Sequence, residues 1–431
     1  MEKPPSRRAL TAVGAAVAAV LGLLFSVFGF APGSAEAAAS GLHVANGRVY
    51  EANGNQFVMR GVNHAYAWYP SQGTAIADIA SKGANTVRVV LSDGDRWTRT
   101  GGAEITSLIN QCKAAKVICV LEVHDTTGYG EDAAAGTLDR AAQFWVDNRN
   151  LLIGQESYVV VNIANEPWGN SGYSAWTAAT KSAIAKVRAA GLHHALMVDG
   201  PNWGQDWSGT MRDNAASVFA ADPDRNTIFS VHMYGVYNTA AKVQGYLNAY
   251  TSAGLPVVVG EFGAQHSDGD PDEDAIMATA QAQGLGYLGW SWSGNGGGVE
   301  YLDLVGNFDR NALTGWGNRL FNGANGIAAT ARTATVYGGG STGTPTPAPS
   351  KAPNGYPYCA SSSSDPDGDG WGWENSASCV VRGGRADTGS TATTAPNGYP
   401  YCASSSSDPD GDGWGWENSA SCVVRGGRAD H

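Results

Sequence analysis

Basic side chains are scarce in this chain: 27 lysines and arginines face 39 aspartates and glutamates in 431 residues. That acidic balance argues against a nucleic-acid partner, which calls for a clustered positive surface. Cysteine is sparse too, and the six present fall in pairs: Cys112 with Cys119, Cys359 with Cys379, and Cys402 with Cys422. The last two pairs repeat one spacing, and in an oxidising compartment they read as disulfides. Cys112 and Cys119 flank a helix-to-strand turn, which fits a third disulfide or two buried thiols. A glycine-rich phosphate loop is missing as well. The segment after the first candidate strand is Gly61-Val-Asn-His-Ala, so an open, doubly wound nucleotide-binding sheet lacks its signature.

An apolar and small-residue stretch runs from Ala9 to Phe30, behind a short basic region with Arg7 and Arg8. About 20 such residues can cross a bilayer. The helix-breaking Pro32-Gly33 and the Ala35-Glu-Ala37 cleavage pattern instead favour a signal peptide over 1–39, by Sec or twin-arginine export. The mature chain is then secreted, with no membrane contact.

Residues 40–330 alternate strands and helices. Asn46-Gly47 and Asn53-Gly54 are hairpin turn signals and place a small lid at one end. Eight strand candidates follow: Phe57–Asn63, Thr86–Leu91, Val117–Val123, Tyr158–Ala164, Ala195–Asp199, Ile228–Met233, Pro256–Gly260 and Gly286–Trp290. Helical stretches such as Glu104–Ala115 and Tyr173–Ala190 lie between most of them. Eight βα repeats in about 285 residues predict an α/β fold, a (β/α)8 TIM barrel.

In such a barrel the carboxyl ends of the strands meet on one rim, where catalytic groups sit. Here those ends carry Arg88, His124-Asp125, Asn165-Glu166, His232 with Tyr234, Glu261 and Trp290. A carboxylate closing a buried apolar strand has no core to join, and two facing each other are the apparatus of glycoside hydrolysis. Trp68, Trp97, Trp168, Trp203 and Trp292 are candidate sugar platforms or core residues.

The set Arg88, His124, Asn165-Glu166-Pro167, His232-x-Tyr234, Glu261-Phe-Gly263 and Trp290 resembles glycoside hydrolase family 5. Gly61-Val-Asn-His-Ala-Tyr-Ala-Trp-Tyr-Pro70 and Gly289-Trp-Ser-Trp-Ser-Gly-Asn295 are similar to its bacterial endo-β-1,4-mannanases, with cellulases sharing the core. The resemblance implies retaining hydrolysis of β-mannan, with Glu261 as nucleophile and Glu166 as acid/base. It implies Arg88 and Tyr234 on Glu261, Asn165 on the sugar 2-hydroxyl, His232 beside Glu166, and Trp290 as the floor. No cofactor is required, and the enzyme is expected to act as a monomer. The run Asp268-Gly-Asp270-Pro-Asp272-Glu273-Asp274 is oxygen-rich and reads as a structural Ca²⁺ site or an acidic helix start.

Composition changes abruptly beyond the barrel. Residues 331–351 read as a Gly/Thr/Pro linker, followed by two copies of one segment, 352–387 and 395–431, joined by 388–394. Each copy is too small to bury a sizeable core and needs its disulfide. Trp371 and Trp373, at i and i+2, point to one side of a strand and predict a flat aromatic strip with Tyr358 or Tyr356; Trp414, Trp416 and Tyr401 or Tyr399 repeat it. The segment resembles the family 10 carbohydrate-binding module, which implies cellulose or plant cell wall as its partner.

Overall fold

The computed structural model describes residues 41–338 and, in the tail, 352, 356–359, 370–374, 377–381, 395, 399, 401–402, 411–417 and 420–424. The expected signal peptide 1–39, residues 339–351 and 388–394, and the side chains of Trp373 and Trp416 lie outside the described residues. No helix among the described residues is long and apolar enough to cross a membrane.

A hairpin opens the described chain, β1 (His43–Ala45) against β2 (Arg48–Tyr50). Its two turn residues, Asn46 and Gly47, both take positive φ, as a tight two-residue turn demands. Eight parallel strands follow: β3 (Arg60–His64), β4 (Thr86–Leu91), β5 (Ile118–Val123), β6 (Val159–Asn162), β7 (Leu196–Asp199), β8 (Thr227–Met233), β9 (Val257–Phe262) and β10 (Gly286–Gly289). The last pairs with the first, so the sheet closes into a barrel. Helices α1 (Ala75–Ser81), α2 (Gly102–Ala115), α3 (Leu138–Asp147), α4 (Arg149–Leu152), α5 (Trp176–Ala189), α6 (Thr210–Ala221), α7 (Ala240–Ser252) and α8 (Glu273–Gln283) alternate with the strands; α9 (Gly315–Asn322) and α10 (Ile327–Thr330) complete the set. The fold is a (β/α)8 barrel.

Strand alternation explains how one tube holds both a core and a polar site. Val87, Val89, Leu121, Val161 and Phe229 face outward into the layer beneath the helices. Ile118, Val120, Val160, Met197, Ile228, Val258 and Leu288 face inward and fill the bottom of the barrel, which Leu42 and Phe57 seal. Further toward the carboxyl ends of the strands, the inward positions become Arg88, Glu122, Asn162, Asp199 and His232, all buried. The polar layer therefore rests on an apolar plug.

Strand β9 departs from strict alternation. Val231 of β8 pairs with Val259, but His232 pairs with Glu261, so Gly260 is an extra residue, a β-bulge. Val257 and Val259 face the helices, and without the bulge Glu261 would follow them outward. Gly260 is demanded by crowding, because a Cβ there would lie 2.1 Å from Ser230 Oγ. Its carbonyl accepts from Asn63 Nδ2 at 3.1 Å.

Two expectations are corrected by the packing. The barrel domain does not end at 330, since residues 331–338 strap its base. Ala334 is buried there, Tyr337 donates to the Val117 carbonyl at 2.8 Å, and Thr335 Oγ1 donates to Glu51 at 2.6 Å. Cys112 and Cys119 form no disulfide; both are free and buried. They meet where the end of α2 folds back onto β5, packed as two small apolar side chains, and burial pushes the Cys112 thiol well above its ordinary range.

In the tail, β11 (Trp371–Glu374) pairs with β12 (Ala377–Val380), and β13 (Trp414–Glu417) with β14 (Ala420–Val423). Disulfides Cys359–Cys379 and Cys402–Cys422 staple these hairpins. The described aromatics do not lie flat: Tyr356 meets Trp371 at 90° and Tyr399 meets Trp414 at 88°. Edge-to-face contact is the electrostatically preferred arrangement for these two pairs; the expected pairing of Trp371 with Trp373, and of Trp414 with Trp416, lies outside the described residues. The backbones of Tyr358 and Tyr401 bridge to Val380 and Val423.

Candidate active site

Arg88 organises the polar layer. A guanidinium has five N–H donors, and here each has an acceptor. Nε donates to Asn162 at 2.8 Å; Nη1 donates to Asn63 at 2.9 Å and Glu261 Oε1 at 2.7 Å; Nη2 donates to Asn165 at 2.7 Å and Asp199 at 3.0 Å. Glu122 adds a carboxylate at 3.8 Å. Burial disfavours a charged Asp199, but Arg88 and His232 outweigh it and pull its carboxyl down to about 2. Asp199, Asn162, Asn63 and Glu122 were not among the candidate site residues.

Glu261 closes β9 and is held from two sides, by Arg88 and by Tyr234 Oη, which donates to Oε2 at 2.9 Å. Burial pushes its carboxyl above the ordinary glutamate range, opposed by His232 and Arg88 and reinforced by Glu166. Glu166 sits beyond β6 with φ of 40°, a left-handed conformation held in place by its surroundings. His232 Nδ1 lies 2.7 Å from Glu166 Oε1 and 3.5 Å from Glu261 Oε2, and its Nε2 lies 3.2 Å from Asp199. Burial opposes charge on that ring, yet Glu261 and Asp199 prevail and push it up to about 10, so the ring is an imidazolium at neutral pH. Gly204 lets the backbone pass this ring, since a Cβ there would come within 2.5 Å of it.

Oxygens of Glu166 and Glu261 and a nitrogen of His232 all lie within 4.8 Å of one another. Retaining glycosidases keep their carboxyl groups roughly 5–5.5 Å apart, whereas inverting enzymes need roughly 6.5–9.5 Å to admit a water. The spacing belongs to the retaining class.

Two cavities flank the pair. The first, about 450 Å³, is lined by Glu261, Asn165, His124, Trp68, Trp97 and Trp290. His124 stacks on Trp290 at 5.6 Å and meets the edge of Trp68 at 5.0 Å, and its Nδ1 lies 2.8 Å from Glu122. Asn165 is oriented by Arg88 and donates to Thr127 at 2.8 Å. The second, about 470 Å³, is lined by Trp203, Trp207, Gln205 and Asn170. Glu166, Tyr234 and His266 border both. Trp168 and Trp292 are instead buried in the core beneath the helices, so neither is a platform. Trp207, 53% exposed, escaped the sequence reading, although a second Trp four residues after Trp203 in a Gly-rich loop was its signal.

The acidic run does not gather into the expected cation cage. Asp268 accepts from Gln205 at 2.8 Å and the Gly235 amide at 3.1 Å, and it also holds His266. Asp272 caps α8 by accepting from the Ala275 amide at 2.9 Å. Among the described residues, the clustered set of three metal-type ligands is Glu166, His232 and Glu261.

The sequence profile described as "Cellulase (glycosyl hydrolase family 5)" matches residues 50–296. The chain belongs to glycosyl hydrolase family 5. A second profile, "Cellulose or protein binding domain", matches residues 349–381 and 391–424. A mannan endo-1,4-beta-mannosidase of Streptomyces lividans is 69% identical over 88% of this chain and 98% of that protein. Another, from Cellvibrio japonicus, is 50% identical over 81% of each. The crystal structure of a beta-mannanase from Streptomyces thermolilacinus superposes with a TM-score of 0.68 at 59% identity, covering 69% of this chain and 99% of that one. A mannohexaose complex of Thermomonospora fusca beta-mannanase gives 0.67 at 56% identity, with coverage of 69% and 99%.

Proposed function

We infer that this protein is a retaining endo-β-1,4-mannanase that cleaves internal bonds of mannan, glucomannan and galactomannan by double displacement. The observation that carries the chemistry is the close carboxylate pair at the junction of two cavities. The substrate follows the relatives of 69% and 50% identity, both named mannan endo-1,4-beta-mannosidase.

Glu261 borders the first cavity alone, so the sugar whose anomeric carbon is attacked sits there, over Trp290. Glu166 borders both, as the group that protonates the bridging oxygen must. In the first step Glu261 bonds to the anomeric carbon while Glu166 gives its proton to the departing oxygen. In the second, Glu166 takes a proton from water, which displaces the Glu261 ester. Arg88 and Tyr234 keep one Glu261 oxygen pair aligned for attack, and Asn165 faces the 2-hydroxyl position. No step calls on a cofactor. The signal-like leader supports a secreted enzyme, and the two tail modules support tethering to cellulose or plant cell wall.

Glu261→Ala should lose several orders of magnitude in turnover, and azide should restore it with an activated aryl mannoside, giving an azide product of inverted configuration. Inverted product from Glu166→Ala instead would exchange the two roles. Reducing-sugar release should be faster from glucomannan and galactomannan than from carboxymethylcellulose. The reverse order would make the enzyme an endo-glucanase with the same machinery.

A further inference from the structure

His266 stands where the two cavities meet, and the double displacement leaves it unassigned. It lies on the loop after β9 and borders both cavities together with Glu166 and Tyr234. Its ring is fixed twice. It stacks on Tyr234 with centroids 4.4 Å apart and planes 29° from parallel, and its Nδ1 bonds to Asp268. Asp268 is itself held by Gln205, from the loop after β7, and by the Gly235 amide, from the loop after β8. Three loops thus set one imidazole.

The carboxylate of Asp268 lies below the ordinary aspartate range: burial raises it, but bonds from Gln205 and His266 prevail. A carboxylate can only accept, so the bond to Asp268 occupies the Nδ1–H and leaves Nε2 as the ring atom that can meet a ligand. Nε2 takes no hydrogen bond from the described residues, and the side chain is 26% exposed at the cleft. A ring that merely braced Tyr234 would need neither the open nitrogen nor the oriented carboxylate.

Resting on the retaining mannanase reading, we propose that His266 hydrogen-bonds, through Nε2, a hydroxyl of the sugar just beyond the scissile bond, with Asp268 as its positioning residue. Glu261, Trp290 and Asn165 border only the first cavity, so the departing sugar lies in the second, beginning at His266. The same contact seats an incoming sugar when the covalent intermediate is transferred to a carbohydrate hydroxyl instead of water. His266 therefore acts on leaving and accepting sugars and not on the attacked one.

The test compares mannopentaose, which fills both cavities, with 4-nitrophenyl β-mannobioside, whose leaving group has no sugar hydroxyl. His266→Phe keeps an aromatic on Tyr234 and removes both nitrogens. The ratio of kcat/KM for mannopentaose to that for the aryl substrate should fall roughly tenfold, the worth of one hydrogen bond. His266→Gln, with its carbonyl near the Nε2 position, should recover part of that ratio. The yield of transfer products relative to hydrolysis should fall in the Phe variant too. Equal losses on both substrates would overturn the proposal and make His266 a brace for Tyr234 and Glu261. An unchanged ratio, or a Gln variant no better than Phe, would overturn it as well. Failure of the parent enzyme to cleave either substrate would instead overturn the mannanase reading.

Discussion

Around Arg88, three carboxylates and an imidazolium share one buried volume, and their charges decide how the enzyme meets pH. Because burial raises the Glu261 carboxyl, the acidic limb of kcat/KM should lie above the pH at which an unperturbed glutamate ionises; a limb at or below that value would contradict the electrostatics. His232 bears on stability as well. Its folded pKa of about 10 exceeds the ordinary 6.5, so its contribution is complete below about pH 6.5 and is lost as pH rises through about 10. His232→Asn should flatten the dependence of urea midpoint on pH across that window, and a parallel curve would refute it. Glu166 and Glu261 were legible because each follows an apolar strand with a side chain that has no place in a core, and Arg88 because it is a charge inside one. Asp199 ends the strand candidate Ala195–Asp199 in the same way, yet no motif around it marks it as part of the site. Only the closed barrel shows that its carboxylate points at Arg88.

The element that decides the nucleophile's direction is the bulge in β9. Alternation alone groups Glu261 with Val257 and Val259, facing the helices, and nothing in a one-dimensional pattern shows that Gly260 is the extra residue. Eight strands and most helices were legible from apolar runs and 3.6-residue periodicity, but a bulge is a property of two strands together. Gly260→Ala should reduce kcat by on the order of 100-fold, by forcing Cβ against Ser230 Oγ and shifting Glu261. Adding Ser230→Ala, which removes that oxygen, should recover part of the loss; no recovery would mean that backbone freedom and not crowding requires the glycine. The strap 331–338 makes a second prediction. A chain ending at Gly338 should melt like the full barrel, and one ending at Thr330 should melt on the order of 5–10 °C lower, having lost Ala334 and Tyr337 from the base. It hid within the linker because it runs without a break into the Gly- and Thr-rich sequence that begins at Gly338.

At the scale of the molecule, the repeat was the most legible feature, since the copies are identical in sequence and equal in cysteine spacing. The perpendicular Trp–Tyr pairs were not, because alternation gives the side of a strand and not the tilt of a ring. So small a module makes a weak cellulose contact by itself, so retention should rest on both acting together. Removing 388–431 should cost more than half of the retention on insoluble cellulose, and ending the chain at Gly338 should abolish it while leaving rates on soluble mannan unchanged. Proportional loss would show the two copies acting independently. Room of about 450 Å³ on one side of the catalytic pair and about 470 Å³ on the other means the enzyme need not find a chain terminus before it cuts. Cuts then fall at random along the polymer, and the first break in each molecule halves the length that entangles with its neighbours. A galactomannan solution should therefore thin to a fraction of its viscosity while almost all of its sugar is still bound in long fragments.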